Sequence, residues 1–91
     1  MKKGERKKAV ALGYDPARDP APVVKGKGYG EIAHAMIEKA REHDIPIKED
    51  AALVELLDRV ELGYVIPEDL FQAVAEVFAF IYQLDKKVNS Q

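Results

Sequence analysis

Residues 67–84, PEDLFQAVAEVFAFIYQL, are the most apolar stretch of the chain, and any fold has to bury them. Pro67 suits the first position of a helix, where its missing N–H would have no intrahelical partner anyway. Glu68 and Asp69 follow, placing negative charge at the positive end of the helix dipole. Leu70, Val74, Val77, Ile81 and Leu84 recur at spacings of three and four and share one helix face. Phe71, Ala75, Phe78 and Tyr82 form a second row beside it, so the apolar surface extends more than halfway round. Such a helix is packed on two sides. It is either a central core helix or one whose second row reaches the surface as part of a docking groove. Gln72, Glu76 and Gln83 interrupt the run, which is too short and too polar to span a bilayer.

A chain of 91 residues supports one small domain, and its 47% apolar and 33% charged fractions are those of a folded protein rather than a disordered one. Charge is distributed unevenly. Residues 1–8 carry five Lys/Arg against one Glu, whereas residues 31–69 carry eleven Asp/Glu against four Lys/Arg. An acidic body argues against nucleic-acid binding by the folded part. No apolar segment follows the basic lead, so it does not read as a secretory signal. The expected organisation is a basic, frayed lead over residues 1–8, one domain over 9–86 and a flexible tail over 87–91.

Short apolar runs and turn residues set the order of elements before the long stretch. Ala9-Val10-Ala11-Leu12, ended by Gly13, reads as a buried strand. Three prolines between Pro16 and Pro22 then predict an extended loop. Val23-Val24 begins a second strand that should stop by Gly26-Lys27-Gly28. Gly30 to His43 reads as a helix with Ile32, Ala33, Met36, Ile37 and Ala40 on one stripe. Ile45-Pro46-Ile47 reads as a third short strand, with Pro46 at its start or on an edge. Asp50 is an N-cap for a second helix that buries Leu53, Leu56, Leu57 and Val60 and ends at Gly63 as a left-handed cap. The expected fold is α/β, a small mixed sheet of about three strands packed by three helices.

Few residues here could carry chemistry. The sequence has no threonine, cysteine or tryptophan, and its only serine and asparagine are Ser90 and Asn89. A hydroxyl or thiol nucleophile needs a base in reach on a rigid scaffold, and the folded part offers none apart from tyrosines. No nucleophile–base constellation can be named, so no enzymatic activity is expected. His34 and His43 read as surface residues, because a metal site needs several convergent donors; no metal or cofactor is expected. The acidic pairs Glu49-Asp50 and Glu68-Asp69 each open a helix and read as capping and dipole charge. Lys25, Gly26, Lys27, Gly28, Tyr29 and Gly30 lie between a strand and a helix, where backbone N–H groups can cradle an anion. Their spacing matches neither a P-loop nor a dinucleotide fingerprint, so a flexible turn is the plainer reading. An anion- or nucleotide-binding regulator using this turn is the alternative function.

The chain resembles the cytoplasmic domain of FlhB-type export-switch proteins of flagellar and type III secretion systems. The resemblance runs from Ala9 to Leu84. It rests on AVALGYD at residues 9–15, Ala21-Pro22, Lys27-Gly28, EHDIPIKED at residues 42–50 and ELGYVIPEDLFQAVAEVFAFIYQL at residues 61–84. It implies a docking domain for export substrates of hook or rod type, for export-gate proteins or for a membrane-bound relative. The implied location is the cytoplasm or the inner face of the membrane at the gate. It also implies a small hydrophobic patch that receives a short substrate signal, formed here by Ala21, Pro22, Ala75 and Phe78. Phe78 stands where the family often has leucine. The same four residues could instead be simple core.

Two departures from the family pattern matter. The family's N-terminal membrane domain has no counterpart in this sequence. Family members also cleave themselves between Asn and Pro of an NPTH motif, through attack of the Asn side-chain amide on its own carbonyl. In register with Ala9, those four positions are Gly4, Glu5, Arg6 and Lys7. With glycine in place of asparagine there is no nucleophile, and no self-cleavage is expected.

Overall fold

The computed structural model describes residues 7–89. Its elements follow in the order β1 (Lys8–Gly13), β2 (Val23–Tyr29), α1 (Glu31–Glu42), α2 (Ala51–Leu57), a 3-10 turn (Glu68–Leu70) and α3 (Phe71–Asn89). The architecture is α/β, a small sheet covered by three helices, as expected. Among the described residues the sheet is one antiparallel pair rather than a mixed sheet of three strands.

The expected third strand fails for a reason of backbone hydrogen bonding. Helix α1 closes with a Schellman arrangement: Ile45 N donates to Ala40 O at 2.8 Å and Asp44 N to Arg41 O at 3.2 Å. Asp44 takes the left-handed conformation that this closure requires, with φ 58°. The Ile45 N–H is therefore committed to the helix, and Pro46 has none to give. Residues 45–47 leave the helix as irregular chain, with Ile45 exposed.

A different segment occupies the remaining edge of β2. Gly63 N donates to Val24 O at 2.8 Å, Val24 N to Tyr64 O at 3.0 Å and Ile66 N to Pro22 O at 2.9 Å. Val23 and Val65 form an isolated antiparallel bridge. Gly63, with φ 88°, makes the turn into this edge and is not the cap of α2. That helix ends earlier, at Leu57, with Asp58 as its C-cap.

Strand β2 also runs further than expected, straight through its glycines to Tyr29. In the pairing Ala11 faces Gly26 and Leu12 faces Val24, so Lys25 is the extra residue of a bulge. Beyond the bulge, Gly26 and Gly28 face α1. A Cβ on Gly28 would lie 2.5 Å from Met36 Sδ, 2.9 Å from Ile32 Cγ2 and 3.1 Å from the Ala33 backbone N. Without a side chain there, helix and strand approach backbone to backbone, and Ala33 is fully buried between them.

The core lies on the other side. Val24, Ile66 and Val74 are at most 1% exposed, and Ala21, Leu53, Leu57 and Leu70 complete the cluster. Val10 and Leu12 of β1 and Val77 of α3 pack against it. Asp50 caps α2 by accepting from Leu53 N at 3.1 Å, which turns Leu53 and Leu57 inward. Pro67 precedes the 3-10 turn in an extended conformation, so the long helix begins one turn later than its sequence predicts.

Helix α2 is tied to the sheet through Asp58. A carboxylate at a helix C-terminus opposes the dipole, and cations offset it. Lys8 Nζ lies 3.5 Å from its Oδ2, and Lys27 Nζ is 3.8 Å from its Oδ1 while also donating to its backbone O at 2.6 Å. Tyr29 donates its hydroxyl to the same carboxylate, and Lys8 also pairs with Glu55 at 3.0 Å. The Tyr29 hydrogen bond, followed by the Lys8 interactions, holds the Asp58 carboxyl below its ordinary 3.8, against the opposing effect of burial. Its bond to Glu55 raises Lys8 above its ordinary 10.5.

Acid and base therefore attack this cluster with opposite signs. The folded chain binds the Asp58 proton less tightly than the unfolded chain, so this contribution is complete above pH 3.8 and fades as pH falls through the lower folded value. The Lys8 contribution is complete below pH 10.5 and fades as pH rises through the higher folded value. In denaturant titrations between about pH 5 and about pH 2, the wild-type midpoint should fall more steeply than that of Asp58→Asn. Parallel slopes would show that Asp58 does not govern acid stability.

Candidate functional site

The segment between the strands is a closed turn rather than an extended loop. Arg18 N and Asp19 N both donate to Asp15 O, at 2.9 and 2.7 Å. Asp15 Oδ1 accepts from Ala17 N at 3.1 Å, and Asp19 Oδ2 accepts from Asp15 N at 3.0 Å. The two aspartates thus satisfy the turn's own backbone, which lets the prolines sit in a compact bend. Its two ends are positioned as a result: Tyr14 leaves β1 on one side, and Ala21-Pro22 enters β2 on the other.

The four residues of the expected docking patch fall in three different environments. Ala21 is 5% exposed and belongs to the core cluster. Pro22 is half-buried, and its carbonyl is held by Ile66 N. Phe78 is half-buried against the core and its ring stacks on Tyr14, with centroids 6.2 Å apart and planes at 24°. Ala75, one turn back along α3, is exposed. Ala21 lies within the core and Phe78 packs against it, whereas Ala75 is exposed on α3.

Tyr14 is the functional candidate that the sequence reading missed. It is 45% exposed, so one part of the ring covers Phe78 and the rest faces solvent. The available signal was an aromatic residue just after the strand-ending glycine, at the mouth of a polar turn. Tyr14 and Phe78 together present a partly exposed pair of stacked rings. Such a surface binds an apolar side chain by burial and stacking.

The glycine-rich turn of the alternative reading does not exist as a turn. Lys25, Gly26, Lys27, Gly28 and Tyr29 are part of β2, and Gly30 is the N-cap of α1 with its N–H donated to Lys7 O at 2.8 Å. Lys27 is engaged with Asp58. The anion-binding alternative is thereby left without its cradle. Gly4, Glu5 and Arg6, at the cleavage-motif positions, lie outside the described residues. Among the described residues no group of His, Asp or Glu side chains is placed to hold a metal ion. No helix among them is long and apolar enough to cross a membrane.

Comparison with known proteins gives a consistent result. The model of the FlhB HrpN YscU SpaS family matches residues 6–81. The chain is 45% identical over 85 residues to a Bacillus subtilis protein named "Uncharacterized protein YlqH", covering 93% of this chain and 91% of that one. It is 36% identical over 81 residues to the flagellar biosynthetic protein FlhB of the same species, covering 88% of this chain but 22% of FlhB. The cytoplasmic domain of FlhB from Shewanella putrefaciens superimposes with a TM-score of 0.83 at 40% identity, over 88% of this chain and 63% of that one. A mutated EscU C-terminal domain gives a TM-score of 0.79 at 31% identity, over 84% of this chain and 93% of that one.

The aromatic pair can be tested by a double-mutant cycle on stability. Phe78→Ala should cost about 2 kcal/mol, less than a fully buried ring would. Its coupling with Tyr14→Ala should be about 0.5–1.5 kcal/mol in chemical denaturation. Additive effects would show that the two rings contribute separately and form no preorganised surface.

Proposed function

The chain belongs to the FlhB HrpN YscU SpaS family, and from this membership we propose that it is a protein-interaction domain of a flagellar or type III export apparatus. In this reading it works in the cytoplasm or peripherally at the export gate. It binds hook- or rod-type substrates or gate proteins and catalyses no reaction. The observation that carries the proposal is the likeness to the FlhB cytoplasmic domain over nearly all of the described chain. Support for a purely binding role comes from composition: residues 7–89 contain no serine, threonine or cysteine.

The proposed docking surface centres on Phe78 and Tyr14, with half-buried Pro22 and exposed Ala75 as further members and Ala21 contributing from the core. It takes an apolar side chain of the substrate signal, and the larger Phe78 ring favours a flat or aromatic one. Self-cleavage has no place in this function, because Gly4 offers no side-chain amide and the chain's single asparagine, Asn89, precedes serine. One further observation favours a membrane-bound relative as a partner. Among the described residues the sheet order is β1-β2, so β1 has a strand on one side only and can accept another by β-addition.

Affinity capture from a lysate of the native cells, with wild type and an Ala75→Asp/Phe78→Asp variant side by side, tests the binding role. Hook, rod or gate proteins should be recovered by the wild type alone. Equal recovery by both would refute the surface, and recovery of no export protein by either would refute the role. Intact-mass spectrometry of the purified full chain, after prolonged incubation at neutral pH, should give one species of unchanged mass. A pair of fragments splitting the chain ahead of β1 would refute the absence of self-cleavage.

A further inference from the structure

A second surface lies apart from the aromatic edge, between the end of α2 and the segment leading to α3. It is a groove of about 390 Å³ whose apolar lining is Leu56, Val60, Tyr64, Val65, Pro67 and Leu70. Leu70 belongs to the core and forms its floor, whereas Tyr64 is 63% exposed and Leu62 beside it is 60% exposed. Exposure of this much contiguous apolar side chain is costly unless something covers it.

Three charged residues line the same groove: Arg59, Glu61 and Asp69. Among the described residues none of their side chains makes a hydrogen bond or an ion pair, in contrast with Glu55 and Asp58 one turn away. Two carboxylates against one guanidinium give the groove a negative balance, and exposed Glu68 lies between its lining residues Pro67 and Asp69 in the chain. The surroundings have the same sign: residues 48–69 hold seven Asp/Glu against two Lys/Arg, and the balance stays negative after Glu55 and Asp58 are offset by Lys8 and Lys27. A field of this kind concentrates cationic partners and repels anionic ones.

We infer that this groove binds a short segment of a partner protein that combines apolar side chains with lysine or arginine. The apolar residues fill the space over Leu70 between Leu56 and Tyr64. The basic residues pair with Glu61 and Asp69, and a polar group or carboxylate of the same segment meets Arg59. The inference goes beyond the proposed docking role, because none of these residues belongs to the Tyr14 and Phe78 edge. It holds or fails independently of that surface.

The test is an NMR titration of the isotope-labelled full chain with a short peptide of alternating leucine and lysine, and with its counterpart carrying glutamate for lysine. The lysine peptide should saturably shift the amides of Leu56, Val60, Tyr64 and Val65, and the glutamate peptide should leave them unmoved. Glu61→Lys/Asp69→Lys should weaken binding several-fold, as expected for two exposed charge pairs, and Tyr64→Ala should weaken it through lost apolar contact. All three substituted side chains are exposed, and the dispersion of each variant's own spectrum verifies its fold. Equal binding of the glutamate peptide, shifts centred on β1 or Phe78, or no saturation up to about millimolar peptide would each overturn the inference. So would groove shifts that follow protein concentration alone, which would identify a second copy of the chain as the occupant.

Discussion

The fold depends on how closely α1 can approach β2, and that distance is set by Gly26 and Gly28. These residues leave the strand bare on one face, so Ala33 and Met36 rest almost on its backbone. A substituted strand would hold the helix away and open a gap that Ala33 is too small to fill. The bulge at Lys25 complements this arrangement by changing which face each residue of β2 presents. Before it, fully buried Val24 points into the α2 and α3 core; after it, the glycines meet α1 while Lys27 and Tyr29 reach Asp58. One strand of seven residues thereby serves two different packing layers.

A two-stranded sheet is marginal alone, and this one is completed from outside its own hairpin. The Gly63–Ile66 backbone supplies hydrogen bonds along the first half of β2, where a third strand would otherwise be needed. Asp58 supplies the polar counterpart at the second half, drawing Lys8, Lys27 and Tyr29 from both strands onto the end of α2. Exposed ion pairs contribute little to stability singly, and the value of this cluster is geometric. It aligns α2 so that Leu53 and Leu57 reach the core beneath α3.

How much of this was legible in the sequence followed the range of the interaction concerned. The α1 boundaries, the Asp50 cap and the inner row of α3 depend on residues within one or two helical turns, and periodicity reveals them. The Leu70 and Val74 row is buried as its spacing implies. The second row divides, with Phe71 and Ala75 outside and Phe78 half-buried, because Tyr14 arrives from 64 positions away to cover only the last of these. The missing third strand has a local cause, the Schellman closure; Asp is among the few non-glycine residues that accept a left-handed position, but the glycine that usually marks such a closure is absent. The extended course of Lys25 to Tyr29 was hidden differently. Glycines normally punctuate a strand, and here they allow a helix to lie on it.

The same contrast separates the two candidate surfaces. The Tyr14 and Phe78 pair is aromatic, and a ligand docked on it would be held by burial, which salt hardly weakens. The groove over Leu70 joins apolar lining to carboxylates that lack intramolecular partners, so part of its attraction is screened as ionic strength rises. Both are anchored at the same end of the chain, since Leu70 and Phe78 are eight residues apart, about 12 Å along a helix axis. A partner long enough to touch both would be held at one point by shape and at the other by charge. The gain in affinity over either contact alone would be greatest when the segment between them matched that short span, would vanish if the segment could not reach, and would decline gradually for longer ones.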